Sequence, residues 1–294
     1  MSDDASTITA APLRGPVSRR RRKPRWVVNI LALAFIAVWI FPVYWMVNTA
    51  FKPRPEVMTS TPMFFPQHPT LDNFVVAITQ TTFLLNLRSS AIVVVGTVAF
   101  SILVGLFAAA ALSRFRFRGR RAIMVFILAV QMLPSTALLI PTFLVFNALN
   151  LLDTYGGLIL AYVAGVLPVS IWLMRGFFLA IPREVEEAAM MDGAGTWRIL
   201  WNVLFPLVTP GIITTSVFAF IVAWNDYIFA YTFMRDQDMY TLPVWLASFT
   251  TPLAGTDFGS QMAASVLFSL PVMIFFLIMQ RNLVVGMSAG AVKG

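Results

Sequence analysis

The stretch Pro182–Pro206, PREVEEAAMMDGAGTWRILWNVLFP, is a polar and amphipathic island between two long hydrophobic runs. Glu184, Glu186 and Glu187 crowd its start, although the whole chain holds only 13 acidic residues. Pro182 suits a first helical turn, and carboxylates there interact favourably with the helix dipole. Ala188, Ala189, Met190 and Met191 continue the helix. Gly193 can take a positive φ or allow a close approach, so it is expected to end that helix. Trp197, Leu200, Trp201 and Leu204 then recur at three- and four-residue spacing and predict a second short helix with one apolar face. Pro206 and Pro210 lead back into hydrophobic sequence.

The surrounding composition is that of a bilayer protein. Of 294 residues, 59% are hydrophobic and 12% charged, and mean hydropathy is +0.80. Soluble domains carry about 25% charged residues. Cysteine is absent, which excludes a disulfide framework and thiol chemistry. His68 is the single histidine and sits in a polar loop with no second soft ligand, so no metal site is expected.

A helix crosses the hydrocarbon with about 20 apolar residues, bonding every backbone group internally. Six segments qualify, roughly 27–49, 90–112, 123–146, 156–178, 208–232 and 262–280. The expectation is an all-α polytopic membrane protein with six transmembrane helices. The run beginning at Trp26 is too long for a signal-peptide core and lacks a small-residue cleavage site, so it reads as a retained span. Residues 1–25, with Arg19-Arg20-Arg21-Arg22-Lys23, read as a basic disordered cytoplasmic tail. With the N-terminus inside, only Lys52, Arg54, Arg88 and Arg235 of the 21 basic residues fall outside, which fixes N-in and C-in. The island at 181–206 is then cytoplasmic, and 281–294 is a cytoplasmic tail.

The net charge of +8 raises the question of nucleic acid. The run Arg114-Phe115-Arg116-Phe117-Arg118-Gly119-Arg120-Arg121 interleaves arginines with aromatics, as single-strand binders do. Between two spans, the same pattern places arginines on lipid headgroups and phenylalanines in the interface, so membrane lipid and no nucleic acid is the expected partner. Pro42, Pro134, Pro141, Pro168, Pro210 and Pro271 lie within or beside spans, while Gly96 and Gly105 mark the second. Kinks are expected there.

Two readings of the island stay open on physics alone. One is an interfacial helix pair lying on headgroups. The other is a knob inserted into a groove of a cytosolic protein, which carboxylates and small alanines favour. Here a specific resemblance enters. Glu187-Ala188-Ala189, three residues, Gly193, nine residues, then Val203-Leu204-Phe205-Pro206 resembles the EAA loop of permeases of binding-protein-dependent ABC importers. The family pattern has Ile at the place of Val203 and Leu at that of Phe205. Trp224-Asn225-Asp226, the Arg114–Arg121 stretch, Met132-Leu133-Pro134 through Ile140-Pro141, and the ending Gly286-Met287-Ser288-Ala289-Gly290-Ala291-Val292-Lys293-Gly294 resemble the carbohydrate-importer branch, the maltose-type second permease.

The resemblance covers about residues 26–294 and implies an ABC type I importer permease fold in a bacterial or archaeal cytoplasmic (inner) membrane. It implies that Glu187, Ala188, Ala189, Gly193 and Pro206 couple to an ATPase subunit, and that Gly290 and Lys293 of the tail contact it. The implied partners are a second homologous permease subunit, a dimer of cytosolic ABC ATPase subunits and an extracytoplasmic solute-binding protein. The chain has no G-x-x-x-x-G-K-[ST] loop. It is expected to be non-catalytic and to bind no cofactor, with ATP and Mg2+ used by the partner. The cargo would be a sugar, oligosaccharide, sugar alcohol or glycerol-phosphate-like solute.

Polar residues in apolar spans are costly and mark functional positions. Gln131, Trp224, Asn225 and Asp226 are therefore candidates for a pathway or gate, against structural readings as a helix bridge and a solvated helix end. The outer loop Thr49–Arg88 and the loop Asp236–Gly259 are a reasonable surface for an extracytoplasmic partner. The alternative function is an ion-gradient-driven secondary transporter. It would need midplane coupling carboxylates and related halves, and neither is evident. A membrane enzyme would need a catalytic cluster that the chain lacks.

Overall fold

The computed structural model describes residues 26–79, 81–249 and 257–291, with the backbone alone for 281–291. The basic tail 1–25, Lys293 and part of the Asp236–Gly259 loop lie outside the described residues. The chain divides into two units, Met1–Tyr44 and Trp45–Gly294. The first contains most of α1 (Trp26–Ala50), a continuous apolar helix long enough to cross a membrane. Everything below concerns the second.

Its frame is a pair of long helices, α4 (Phe83–Arg114) and α7 (Tyr155–Ala180). Their contacts advance together along both chains, so they run parallel. Ser89 Oγ meets Tyr155 Oη at 2.9 Å near the outer end. Gly96 faces Ile159, Gly105 lies beside Ser170 and Met174, and the Arg175 Nε–H donates to Leu112 O at 3.4 Å near the inner end. Lipid tails are as apolar as leucine, so helices in a bilayer associate through close packing of small residues. Ser89, Gly96, Gly105 and Ser170 supply that surface.

Parallel neighbours need a crossover, and α5 (Arg120–Gln131) and α6 (Ser135–Ala148) provide it. They were expected as one span over 123–146. Instead they meet at 101°, with Pro134 extended at φ −62°, ψ 126°. Proline forces its predecessor out of the helical region and removes a donor, so the chain restarts at Ser135. Pro42, Pro141, Pro168 and Pro271 lie inside unbroken helices. Proline alone therefore did not locate the break.

The segment 181–207 follows, then α11 (Thr209–Asn225), which packs on both rails. The expected span 208–232 stops at Asp226 and resumes as α12 (Ile228–Phe233). The last helix, Phe258–Ala291, runs on through the expected tail. Among the described residues four helices are long and apolar enough to span a membrane, or up to six if each of two bent pairs is one span. Two buried clusters hold the bundle. The outer one gathers Phe83, Leu158, Trp224, Phe233 and Trp245, and the inner one Leu106, Met174, Phe178, Leu204 and Phe205.

In the loop Thr49–Arg88, two short helices, Arg54–Val57 and Asp72–Thr79, brace the backbone. The Asn73 amide donates to Ala50 O and Lys52 O at 2.9 and 2.8 Å. Glu56 accepts from the Gln67 and His68 backbone N–H groups at 3.0 Å each and pairs with the His68 ring. Partial desolvation pulls the Glu56 carboxyl up, but those hydrogen bonds outweigh it and hold its pKa below the usual value. Stability from a carboxylate held low is complete above its unfolded-state pKa and is lost as pH falls through the folded-state value. Limited proteolysis of the 54–68 loop should therefore accelerate between about pH 5 and about pH 3. Glu56→Gln should be cut faster already at neutral pH and lose the acid step. An unchanged acid step in that variant would refute the brace.

One close approach at the outer end is unforgiving. A Cβ on Gly157 would lie 2.0 Å from Leu151 O, a backbone atom held by the Thr154 turn. Gly176, on the same helix, would place a Cβ in open space. Gly157→Ala should cost about 3 kcal/mol or more as overpacking, whereas Gly176→Ala should be neutral or stabilise by about 0.5–1 kcal/mol. Thermal unfolding in detergent distinguishes the two.

Candidate functional site

The island folds as a short helix, a glycine turn and a bent return. Helix α8 (Glu184–Met191) begins two residues after Pro182, with all three glutamates in its first turn. At its end, the Gly193 N–H donates to Met190 O and the Ala194 N–H to Ala189 O, both at 3.0 Å. These are the paired closing bonds of a helix capped by a left-handed residue, and Gly193 has φ +79°. A Cβ there would meet nothing within 4 Å. The glycine is thus required by backbone conformation and not by crowding.

After the turn come α9 (Thr196–Ile199), a π-helical segment Leu200–Leu204 and α10 (Phe205–Leu207). This segment bends by 67° into α11. The π turn changes the phase of the side chains. Ile199 and Leu204, five apart, are buried together with Phe205 and Val208 against Leu106, Met174 and Phe178. The predicted face of Trp197, Leu200, Trp201 and Leu204 is corrected accordingly. Trp197 is 68% and Trp201 54% exposed, the latter edge-on to Phe107 and Phe205. A 3.6-residue period misassigns a segment that turns more slowly.

The island is tied to the rails by charge. Arg114 Nε lies 2.7 Å from Glu186 Oε1, with the side chains only 9% and 19% exposed. The pair is an ion contact off the hydrogen-bond line, and the Arg114 Nη2–H donates separately to Ile181 O at 3.2 Å. The first arginine of the Arg114–Arg121 run is thus a structural clamp, not a headgroup anchor. Glu187 and Ala188 face outward, while Ala189 packs against the inner cluster. Met190 and Met191 are exposed, Met191 at 88%. Pro206 is exposed on α10. Gly290 lies near the end of the last helix, whose backbone alone is described there.

The intramembrane candidates divide. Gln131 and Asp226 line one groove of ≈ 350 Å³, together with Ser135, Thr142, Tyr162 and Phe229. It opens where α5 breaks into α6. The Gln131 amide donates to Gly165 O at 3.2 Å. Asp226 Oδ1 accepts from Tyr162 Oη–H at 2.9 Å and from the Phe229 and Ala230 N–H groups at 3.0 and 3.2 Å, capping α12. Trp224 instead points into the outer cluster, stacked on Phe220 at 5.5 Å, and does not line the groove. Asn225 is exposed and donates to Ile221 O at 2.8 Å. Tyr162 was not singled out from the sequence, and the pairing of Arg114 with Glu186 was not foreseen. A lone tyrosine in an apolar span was the available signal for Tyr162, whereas nothing local in the sequence pairs an arginine with a glutamate 72 positions away.

Glu186→Ala leaves Arg114 as a partly buried unpaired charge and should cost about 3 kcal/mol. Glu187→Ala, at an exposed position one residue on, should change stability by less than about 0.5 kcal/mol. Proteolytic release of the island, followed alongside thermal unfolding, checks both.

Known proteins share this architecture. Residues 101–288 match the family model described as binding-protein-dependent transport system inner membrane component. The diacetylchitobiose uptake system permease protein DasC of Streptomyces coelicolor is 38% identical over 266 residues, spanning 90% of this chain and 96% of that one. The trehalose/maltose transport system permease protein MalG of Thermococcus litoralis is 33% identical, spanning 92% and 97%. A bacterial ABC transporter involved in import of the acidic polysaccharide alginate contains a chain that superposes with TM-score 0.78 at 25% identity, spanning 92% and 99%. This chain belongs to the family of inner membrane components of binding-protein-dependent transport systems.

Proposed function

We propose that the chain is a permease subunit of an ATP-driven carbohydrate importer and that the 181–206 island couples it to a separate ATPase. The observation that carries the coupling is the exposed tip at Glu187, Met190 and Met191, held rigidly by Gly193 and the Arg114–Glu186 clamp. A tip with one carboxylate and two flexible thioethers suits a cleft that supplies a cation and apolar walls. Because Ala189, Ile199 and Leu204 pack on the rails, a push on the tip moves α4, α7 and α11. The relatives are named for saccharides, which supports a carbohydrate cargo.

In this reading the chain catalyses nothing. ATP and Mg2+ belong to a dimer of cytosolic ATPase subunits, and a second homologous permease subunit completes the pathway. An extracytoplasmic solute-binding protein delivers cargo to the outer loops, among them the one braced by Glu56 and Asn73. Gly290 and Lys293 carry the C-terminal end toward the ATPase. Gln131 and Asp226 line the pathway side, whereas Trp224 and Asn225 have structural roles.

An ion-gradient mechanism would require a carboxylate able to exchange its ion or proton. The family of binding-protein-dependent systems and the saccharide-named relatives argue against it. Reconstituted complexes decide the matter. Glu187→Lys, and Gly193→Val with its forced left-handed backbone costing about 1–2 kcal/mol, should leave membrane insertion intact. Each should cut ATP-dependent uptake by about tenfold or more while ATP hydrolysis continues or loses its stimulation by loaded binding protein. Full ATP-driven uptake with both positions changed would sink the coupling reading.

A further inference from the structure

The groove at the α5–α6 break holds a carboxylate and no cation. Among the described residues lining it there is neither lysine, arginine nor histidine. Asp226 spends Oδ1 on three donors, and its Oδ2 has no hydrogen-bond partner among the described residues. The Gln131 amide donates through Nε2 and keeps its carbonyl oxygen for an incoming donor. Ser135 adds a hydroxyl, and Phe229 offers an apolar wall. The volume, ≈ 350 Å³, falls within the about 300–1,000 Å³ typical of small-molecule sites.

These groups are complementary to a polyol. Hydroxyls can donate to the Asp226 and Gln131 oxygens, while a sugar's C–H face lies against Phe229. They are hostile to a carboxylate or phosphate, because a negative charge entering this groove would meet Asp226 in low dielectric with no compensating cation. We propose that the groove is a contact site for a neutral saccharide in transit, and that Asp226 makes it reject acidic ones. This rests on the carbohydrate-import reading and narrows it, removing uronates and glycerol-phosphate-like solutes from the cargo.

The absence of cysteine allows a direct test on the assembled complex in lipid nanodiscs. Ser135→Cys and, separately, Thr142→Cys each place one thiol of this chain in the groove. Labelling rates are read by mass spectrometry of the chain, using a cationic trimethylammonium-ethyl and an anionic sulfonatoethyl methanethiosulfonate. The cationic reagent should react about tenfold faster than the anionic one relative to the unfolded chain. That preference should vanish with Asp226→Asn, which keeps the oxygen that Tyr162, Phe229 and Ala230 bond. Maltose, trehalose or diacetylchitobiose, whichever the unmodified complex imports with ATP, should slow labelling at one or both positions, and alginate oligosaccharides should not. Equal rates for the two reagents, a preference that survives Asp226→Asn, or no protection at either thiol by an imported sugar would overturn the proposal. Failure of the unmodified complex to import any of the three sugars with ATP counts against the carbohydrate reading itself, and the charge preference still decides the electrostatic claim.

Discussion

The close parallel approach of α4 and α7 is the constraint on which the rest depends. It runs from Ser89 and Tyr155 at the outer end to Leu112 and Arg175 at the inner end. Parallel helices cannot be joined by a tight turn, so the chain between them must cross back. In a bilayer that return passes through hydrocarbon and must keep its backbone bonded. Helices α5 and α6 are that return, and the turn after α6 is pinned where Asp153 accepts from the Arg235 and Asp236 N–H groups at 2.9 and 3.2 Å. The same rails give α11 its seat and end where Arg114 captures the island.

Irregular backbone is concentrated away from these rails. The α5–α6 break, the π turn before α11 and the interruption at Asp226 each free backbone groups, and at the last of them a side chain takes these up. Asp226 takes N–H groups of the first turn of α12, and the Gln131 amide ties the end of α5 to Gly165 O of α7. Rigid rails with broken neighbours divide the labour of a transporter. On the coupling proposal, the continuous pair carries displacement along the bundle, and the broken elements line the space that changes shape. The inner cluster is the joint between them, since Ile199 and Leu204 of the island share it with Leu106 and Met174 of the rails.

The sequence made most of the spans and the island legible because each has a local physical signature. Length in apolar residues marks a span, basic residues mark its inner end, and a glycine followed by a return of apolar residues marks the turn. What it concealed was relational. Pro134 breaks its helix while Pro141, seven residues on, does not, and only the packing around each decides. Trp197 and Trp201 fit a 3.6-residue face, but a π turn rotates Leu204 inward and leaves both tryptophans exposed. Glu186 and Glu187 are indistinguishable by type and spacing, yet one is clamped by an arginine 72 positions earlier and the other faces outward. Trp224 and Asp226 formed one polar cluster on paper, and the helix end between them sends one to the core and the other to the groove.

Asp226 shows how a carboxylate can persist in such a place without a cation beside it. A lone charge in hydrocarbon would be neutralised or expelled, because burial without donors costs several kcal/mol. Here three donors converge on one oxygen, and two of them are N–H groups of a helix start, where the dipole adds its own positive end. The donors are fixed by backbone and by a buried tyrosine, so they cannot follow a passing solute. The second oxygen has no hydrogen-bond partner among the described residues, and Asp226 lines the groove. The arrangement stabilises the negative charge from behind and leaves its field uncompensated in front. A neutral polyol can bond that face, while an acidic solute finds no cation with which to offset the repulsion.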